Sequence, residues 1–178
     1  MSEEKHHADF TNFKSNLNKE EVLQQLVDSY SALCFEQKNW VCNLSNASSL
    51  LWHAYHSLSI PVNWSGFYLV DEETDGSSLI LGPFQGKVAC QTIQLGKGVC
   101  GVSGATKSTQ IVQDVNDFPG HIACDGETKS EIVVPIVSKE GNLIGVLDID
   151  CLDYKAFDEI DAKYLELLCD LITTTCKF

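Results

Sequence analysis

Ser-Glu-Ile-Val-Val-Pro-Ile-Val-Ser-Lys-Glu-Gly-Asn-Leu-Ile-Gly-Val-Leu-Asp-Ile-Asp, residues 130–150, is the stretch on which the reading of this chain turns. Two β-branched apolar runs, 132–137 and 143–149, flank the turn-forming residues 138–142, so the segment predicts a β-hairpin. In a strand, alternate side chains share a face. Ile144, Val146, Asp148 and Asp150 therefore lie together, and two aspartates continue an apolar stripe. A hairpin closing tightly on Glu140-Gly141 sets Glu131 opposite Asp150 and Val133 opposite Asp148. Opposed Cβ atoms stand ~4.5–5.5 Å apart, where like charges repel. Desolvation and repulsion both raise carboxyl pKa values, so such a cluster keeps a proton near neutral pH and can donate it. The alternative is two aspartates at a strand end, facing water.

Upstream of the hairpin, Pro119-Gly-His-Ile-Ala-Cys-Asp-Gly126 reads as a loop and carries one thiol, Cys124. A loop that delivers a thiol beside carboxylates on rigid β-structure suits redox chemistry; a partly buried surface cysteine is the plainer reading. Residues 63–70 predict a strand in which Trp64 and Tyr68 share a face around Gly66. Two aromatic walls with a gap between them form a slot for a thin, polarisable group such as a methyl next to sulfur. Aromatic core packing, with the glycine admitting a neighbour, is the other possibility. Gly96-Lys-Gly-Val-Cys-Gly-Val102 resembles a phosphate loop only superficially, because it lacks the Gly-Lys-Ser/Thr ending. A short helix over 99–106 would put Cys100 in its first turn, where the helix dipole lowers a thiol pKa.

The chain of 178 residues suits one domain, with 44% hydrophobic and 21% charged residues. Its net charge of −13 argues against nucleic acid and anionic membranes as partners. All 12 basic residues are lysine, which removes the bidentate arginine clamp for a carboxylate or phosphate. An anionic ligand group would then meet lysine or backbone N–H groups, for which the 119–124 loop is the candidate. The start, Met-Ser-Glu-Glu-Lys-His-His, has no apolar signal core, and no run approaches the ~20 apolar residues that cross a bilayer. A cytoplasmic location is expected, with the nucleus as a second one. The 8 cysteines then need not be structural disulfides, and none form Cys-x-x-Cys.

Residues 1–15 are expected to be a flexible segment and 16–178 a single domain. Asn18 is a candidate N-cap for a helix carrying Val22, Leu23, Leu26, Val27 and Tyr30. A second helix is predicted over 40–58. The closing helix, 157–176, is predicted to turn Ile160, Tyr164, Leu167, Leu168, Leu171 and Ile172 inward. Helices, then a glycine-punctuated run of strands, then a helix make an α+β fold with an antiparallel sheet.

Six motifs stand in order: Asn-Trp-Ser-Gly-Phe-Tyr (63–68), Gly-Pro-Phe-Gln-Gly-Lys-Val-Ala-Cys (82–90), Gly-Lys-Gly-Val-Cys-Gly (96–101), Gly-His-Ile-Ala-Cys-Asp (120–125), Ser-Glu-Ile-Val-Val-Pro (130–135) and Gly-Val-Leu-Asp-Ile-Asp (145–150). Together they resemble the free methionine-(R)-sulfoxide reductases of fungal type, which are built on a single GAF domain. The resemblance spans about residues 18–176 and includes the family's cysteines as Cys90, Cys100 and Cys124. It implies a two-helix face, a six-stranded antiparallel sheet flanked by helices, and a pocket closed by the 115–125 loop around a free amino acid. By position, Trp64, Tyr68, Ile122 and Ala123 bind substrate together with Glu131, Asp148 and Asp150. The three carboxylates are also catalytic, beside Cys124 as nucleophile, Cys90 as first resolving thiol and Cys100 as a further redox partner; Cys100 as attacker stays open. The resemblance further implies thioredoxin as reductant, no cofactor, no metal, and a homodimer. Two rivals remain: a non-catalytic GAF-type sensor, and a zinc protein using Cys90, Cys100, Cys124 and His121.

Overall fold

In the computed structural model, the described residues are 10–13, 16–121 and 125–178. The first helix, α1 (Lys19–Leu33), starts where the sequence places it. The Asn18 side chain accepts from the Glu21 amide while Glu21 reaches back to the Asn18 amide, a complete capping box. Next come α2 (Trp40–Ser57), β1 (Val62–Val70), β2 (Ser78–Gly86), β3 (Thr92–Gln94), α3 (Gly98–Thr106) and β4 (Gln110–Val112). The chain closes with β5 (Ser130–Val137), β6 (Leu143–Cys151) and α4 (Glu159–Thr175).

The six strands form one sheet in the order β3-β2-β1-β6-β5-β4, with every neighbouring pair antiparallel. This is the α+β architecture the sequence predicts. Strand alternation divides the interior in two. Phe67, Ile132, Val134, Leu147 and Ile149 pack with α1, α2 and α4 in the larger core. Trp64, Tyr68, Val133 and Val146 face the other way and pack with Val99 and Cys100 of α3. One face of the sheet thus makes stability, and the other carries a cavity. The helices laid on this face are the expected pair, α2 against β1 and β2 and α4 against β5, while α1 packs on α2 and α4. From the segment expected to be flexible, Phe10 and Phe13 lean against this larger core.

The closing helix is rotated from its predicted face. Ile160 and Leu167 are exposed, while Leu165 and Cys169 are buried. A polar anchor sets the rotation. Asp161 lies fully buried, accepts a hydrogen bond from Tyr55 Oη at 2.9 Å, and pairs with Lys19. Asp158 caps the helix and forms a capping box with Asp161, so the stripe toward the core runs through 161, 165, 168 and 172.

Candidate active site

The predicted pairs form, with Glu131 opposite Asp150 and Val133 opposite Asp148, but the hairpin does not close tightly on Glu140-Gly141. Val137 pairs with Leu143, and a shift between Ile136 and Val137 absorbs the longer 138–142 turn. The central strand β1 adds Trp64 opposite Asp150 and Gly66 opposite Asp148 on the far side of β6. Glu131 and Asp148 are each only 6% exposed, and with Asp150 they line a cavity under α3. Burial pushes the Glu131 carboxyl well above its usual range, and repulsion from Asp148 and Asp150 adds to that. Asp150 moves the same way, by burial first and Asp148 second. Asp148 is pushed up by burial to about 7, a rise that the neighbouring Cys100 and Glu131 side chains moderate. Among the described residues no lysine pairs with any of the three. A cluster in this state holds protons at neutral pH.

Cys100 stands in the first turn of α3, and its sulfur and carboxylate oxygens of Glu131 and Asp148 lie within 4.8 Å of one another. The expectation of a lowered thiol pKa is overturned. Burial raises the Cys100 thiol well above its usual value, with Asp148 and Glu131 adding to the rise. The helix-start dipole is a partial charge and loses to desolvation plus two acids.

The aromatic pair is present, but not as a slot. Trp64 and Tyr68 stack with centroids 5.7 Å apart and planes 22° from parallel. A methyl sandwiched between two rings needs about 7 Å, two carbon–carbon contacts end to end. The gap at Gly66 is filled from β2 instead. A Cβ at Gly66 would lie 2.3 Å from Phe84 Cβ, and the β1/β2 register shifts by a bulge at this point. Phe84 also stacks on Trp64, with ring centroids 5.2 Å apart. Trp64 and Tyr68 therefore form a wall of the cavity, which a substrate would lie along. The Trp64 Nε1–H is buried without a partner among the described residues. Trp64→Phe keeps the stack and removes that donor. It is expected to raise KM for the pocket's ligand about five- to tenfold, the worth of one hydrogen bond, with thermal stability held or improved. An unchanged KM would make the indole a wall and nothing more.

Tyr68 has a second task, because its hydroxyl donates to the Cys90 carbonyl at 3.0 Å. Cys90 is disulfide-bonded, whereas Cys34, Cys42, Cys100, Cys151, Cys169 and Cys176 are free thiols. Ile122, Ala123 and Cys124 lie outside the described residues. On the far side of the loop, Asp125 accepts from the Glu127 amide at 3.1 Å and from Asn63 Nδ2 at 3.2 Å, and Lys87 Nζ lies 3.5 Å from it. His121 Nε2 stands 3.7 Å from Glu131 Oε2, and burial lowers its pKa. The zinc set of the sequence reading is not what assembles here. Cys90 is engaged in a disulfide, and among the described residues the donors that converge are Cys100, Glu131 and Asp148.

The sequence reading set aside the 96–102 loop as a phosphate site and kept only Cys100 from it, yet Lys97, Gly98 and Val99 line the cavity with Cys100. Without the phosphate-loop ending, the loop still carries a plainer local signal, a lysine set at a helix start. Lys97 is the N-cap residue and makes no side-chain cap. Gly101 lets the helix sit tight against the preceding turn, since a Cβ there would lie 2.3 Å from the Gln94 carbonyl oxygen. As at any helix start, the first N–H groups lack intrahelical partners and favour an anion. A carboxylate-bearing ligand thus finds a cation and a helix start on this wall, in addition to the 119–124 loop. Lys97→Met is expected to raise KM about two- to fivefold with kcat unchanged, as for one partly solvated ion pair. Steady-state kinetics with a carboxylate-bearing ligand and its methyl ester separates the charge effect from a loss of packing.

A curled antiparallel sheet with helices on one face and a cavity under a short helix on the other is a GAF domain, and the family model for the GAF domain matches residues 46–175. The chain is 65% identical to the free methionine-R-sulfoxide reductase of Saccharomyces cerevisiae over 97% of its length and 96% of that protein. It is 43% identical to the Escherichia coli enzyme of the same name, over 85% of this chain and 87% of that one. The crystallised free methionine-R-sulfoxide reductase of Neisseria meningitidis, in complex with its substrate, superposes with a TM-score of 0.83 at 38% identity, covering 92% of this chain and 93% of that one. The chain belongs to the free methionine-R-sulfoxide reductase family. These relatives stand with the enzyme reading and not with the ligand-sensor alternative.

Proposed function

We propose that this chain reduces free methionine-(R)-sulfoxide to methionine with its own cysteines and a protonated carboxyl. The observation that carries the reading is the buried Glu131/Asp148/Asp150 cluster on the wall of a cavity bordered by Trp64, Tyr68 and Cys100. A thiolate attacks the sulfoxide sulfur while its oxygen takes a proton, because an uncharged leaving group lowers the barrier to S–O cleavage. Cys124 is the attacker in this reading, and Glu131, hydrogen-bonded to Asp148, supplies the proton. Methionine departs and Cys124 becomes a sulfenic acid. The Cys90 thiol condenses with it, releasing water and leaving a disulfide. An external dithiol then reduces that disulfide, and thioredoxin is the proposed donor in the reducing cytoplasm. Cys90 in a disulfide is the oxidised end of this cycle. Lys97 and the start of α3 meet the substrate's carboxylate, which is why a free amino acid suits the cavity. A homodimer is part of the same proposal.

The test is turnover of free methionine-(R)-sulfoxide with thioredoxin, thioredoxin reductase and NADPH, read as NADPH loss and as methionine formed. The (S) epimer and a peptide-bound sulfoxide serve as comparisons. Equal rates on the peptide-bound substrate, or no methionine from the free (R) form, would reject the proposal.

A further inference from the structure

The cavity holds a donor set that proton transfer does not account for in full. One sulfur and two carboxylates come from three different elements: Cys100 from α3, Glu131 from β5 and Asp148 from β6. Their ligand atoms lie within 4.8 Å of one another, and all three residues are buried. Asp148 Oδ1 is enclosed and has no partner among the described residues, although the side chain lines the cavity. A buried oxygen left in that state is missing a donor or a cation. We propose that Cys100, Glu131 and Asp148 form a site for one zinc-type divalent cation, which occupies the cavity in competition with the substrate.

The donor chemistry selects the ion. Magnesium and calcium take six or more oxygens, and a buried thiolate is a poor replacement for any of them. Zinc takes sulfur at about 2.3 Å and carboxylate oxygen at about 2.0–2.2 Å in a tetrahedral shell. Donors in such a shell stand roughly 3.5 Å apart, so side-chain rotation alone closes the present spacing. Three protein donors leave one position open to the cavity, where His121, 3.7 Å from Glu131, also borders the cluster. A dication would displace the protons that burial keeps on these three groups, and none of them has a lysine among its described partners. The set differs from the cysteine-rich one read from the sequence, since it needs neither Cys90 nor Cys124. An ion there would cover the acid that protonates the sulfoxide, so occupancy means reversible inhibition. That second consequence rests on the reductase reading; the binding itself does not.

The full chain in its disulfide form, dialysed against zinc chloride in chelator-treated buffer, is expected to retain one equivalent through this site. Cys100→Ser and Asp148→Asn should each weaken that binding tenfold or more. Cadmium in place of zinc should give a near-ultraviolet thiolate band that is missing in Cys100→Ser. A band of full strength in Cys100→Ser would assign the ion to another thiol and overturn the proposal, as would zinc affinity untouched by Asp148→Asn. Should either variant fail to fold, the wild-type chain still decides. Saturating methionine must weaken zinc binding at least tenfold, and zinc must raise KM for the sulfoxide without lowering kcat. Zinc bound alongside methionine with no competition would overturn the site as drawn. Loss of zinc binding in both folded variants, in a chain that makes no methionine, would sink the reductase reading and leave the ion site standing.

Discussion

Cys124→Ser is expected to abolish methionine formation in a single turnover, by at least about 10³-fold, because a hydroxyl at neutral pH is a far poorer nucleophile than a thiolate. Cys100→Ser is expected to keep that turnover within about tenfold. The contrast follows from the cavity: burial and two neighbouring acids hold the Cys100 thiol protonated, and each step upward in thiol pKa removes a further tenfold of thiolate at fixed pH. Cys90→Ser should complete one normal turnover and then stall, because a resolving thiol matters only for recycling. The double change Cys90→Ser/Cys100→Ser should trap a sulfenic acid on Cys124. A sulfenic-acid reagent followed by peptide mass analysis locates it directly. An adduct on Cys100, with single-turnover activity surviving Cys124→Ser, would exchange the two roles and leave the reductase intact.

The carboxylate cluster was legible from the hairpin because strand alternation leaves one register that keeps both apolar faces buried, and the shift at Ile136/Val137 restores that register although the turn is longer than the tight one expected. Asp148 and Asp150 broke an apolar stripe, and a broken stripe is a visible signal. The caps at Asn18 and the class of sheet were legible for similar local reasons. The face of α4 was not. Its rotation depends on Asp161 meeting Tyr55 and Lys19, partners 106 and 142 residues away in sequence. The aromatic slot failed for a related reason. Period two places Trp64 and Tyr68 on one face, but only the β1/β2 bulge brings Phe84 into the space above Gly66. The thiol at Cys100 shows the limit most plainly. Its position at a helix start is local and readable, while the acids that outweigh the dipole arrive from β5 and β6.

Stability and first-turnover rate are both expected to fall as pH rises through about 7, and for one cause. Folded Asp148 titrates near 7 against an ordinary value of 3.8. Between those values the folded chain binds more protons than the unfolded one, so stability falls with rising pH across that window. The contribution is fully present below about 3.8 and is lost by the time pH has passed 7. Glu131 and Asp150 are raised as well and act with the same sign, extending the loss to higher pH. Asp148→Asn removes the ionisation, so its urea-denaturation free energy should vary less between pH 5 and pH 8 than the wild type's and exceed it at pH 8. The chemistry draws on the neighbouring Glu131 proton, which the same burial and repulsion retain. Glu131→Gln should slow the first turnover about 10²- to 10⁴-fold, the usual worth of a positioned acid. Wild-type single-turnover rates should decline above pH 7 even though thiolate becomes more abundant there. A rate that instead climbs steadily with pH, as thiolate supply alone would dictate, would place the proton donor outside this cluster.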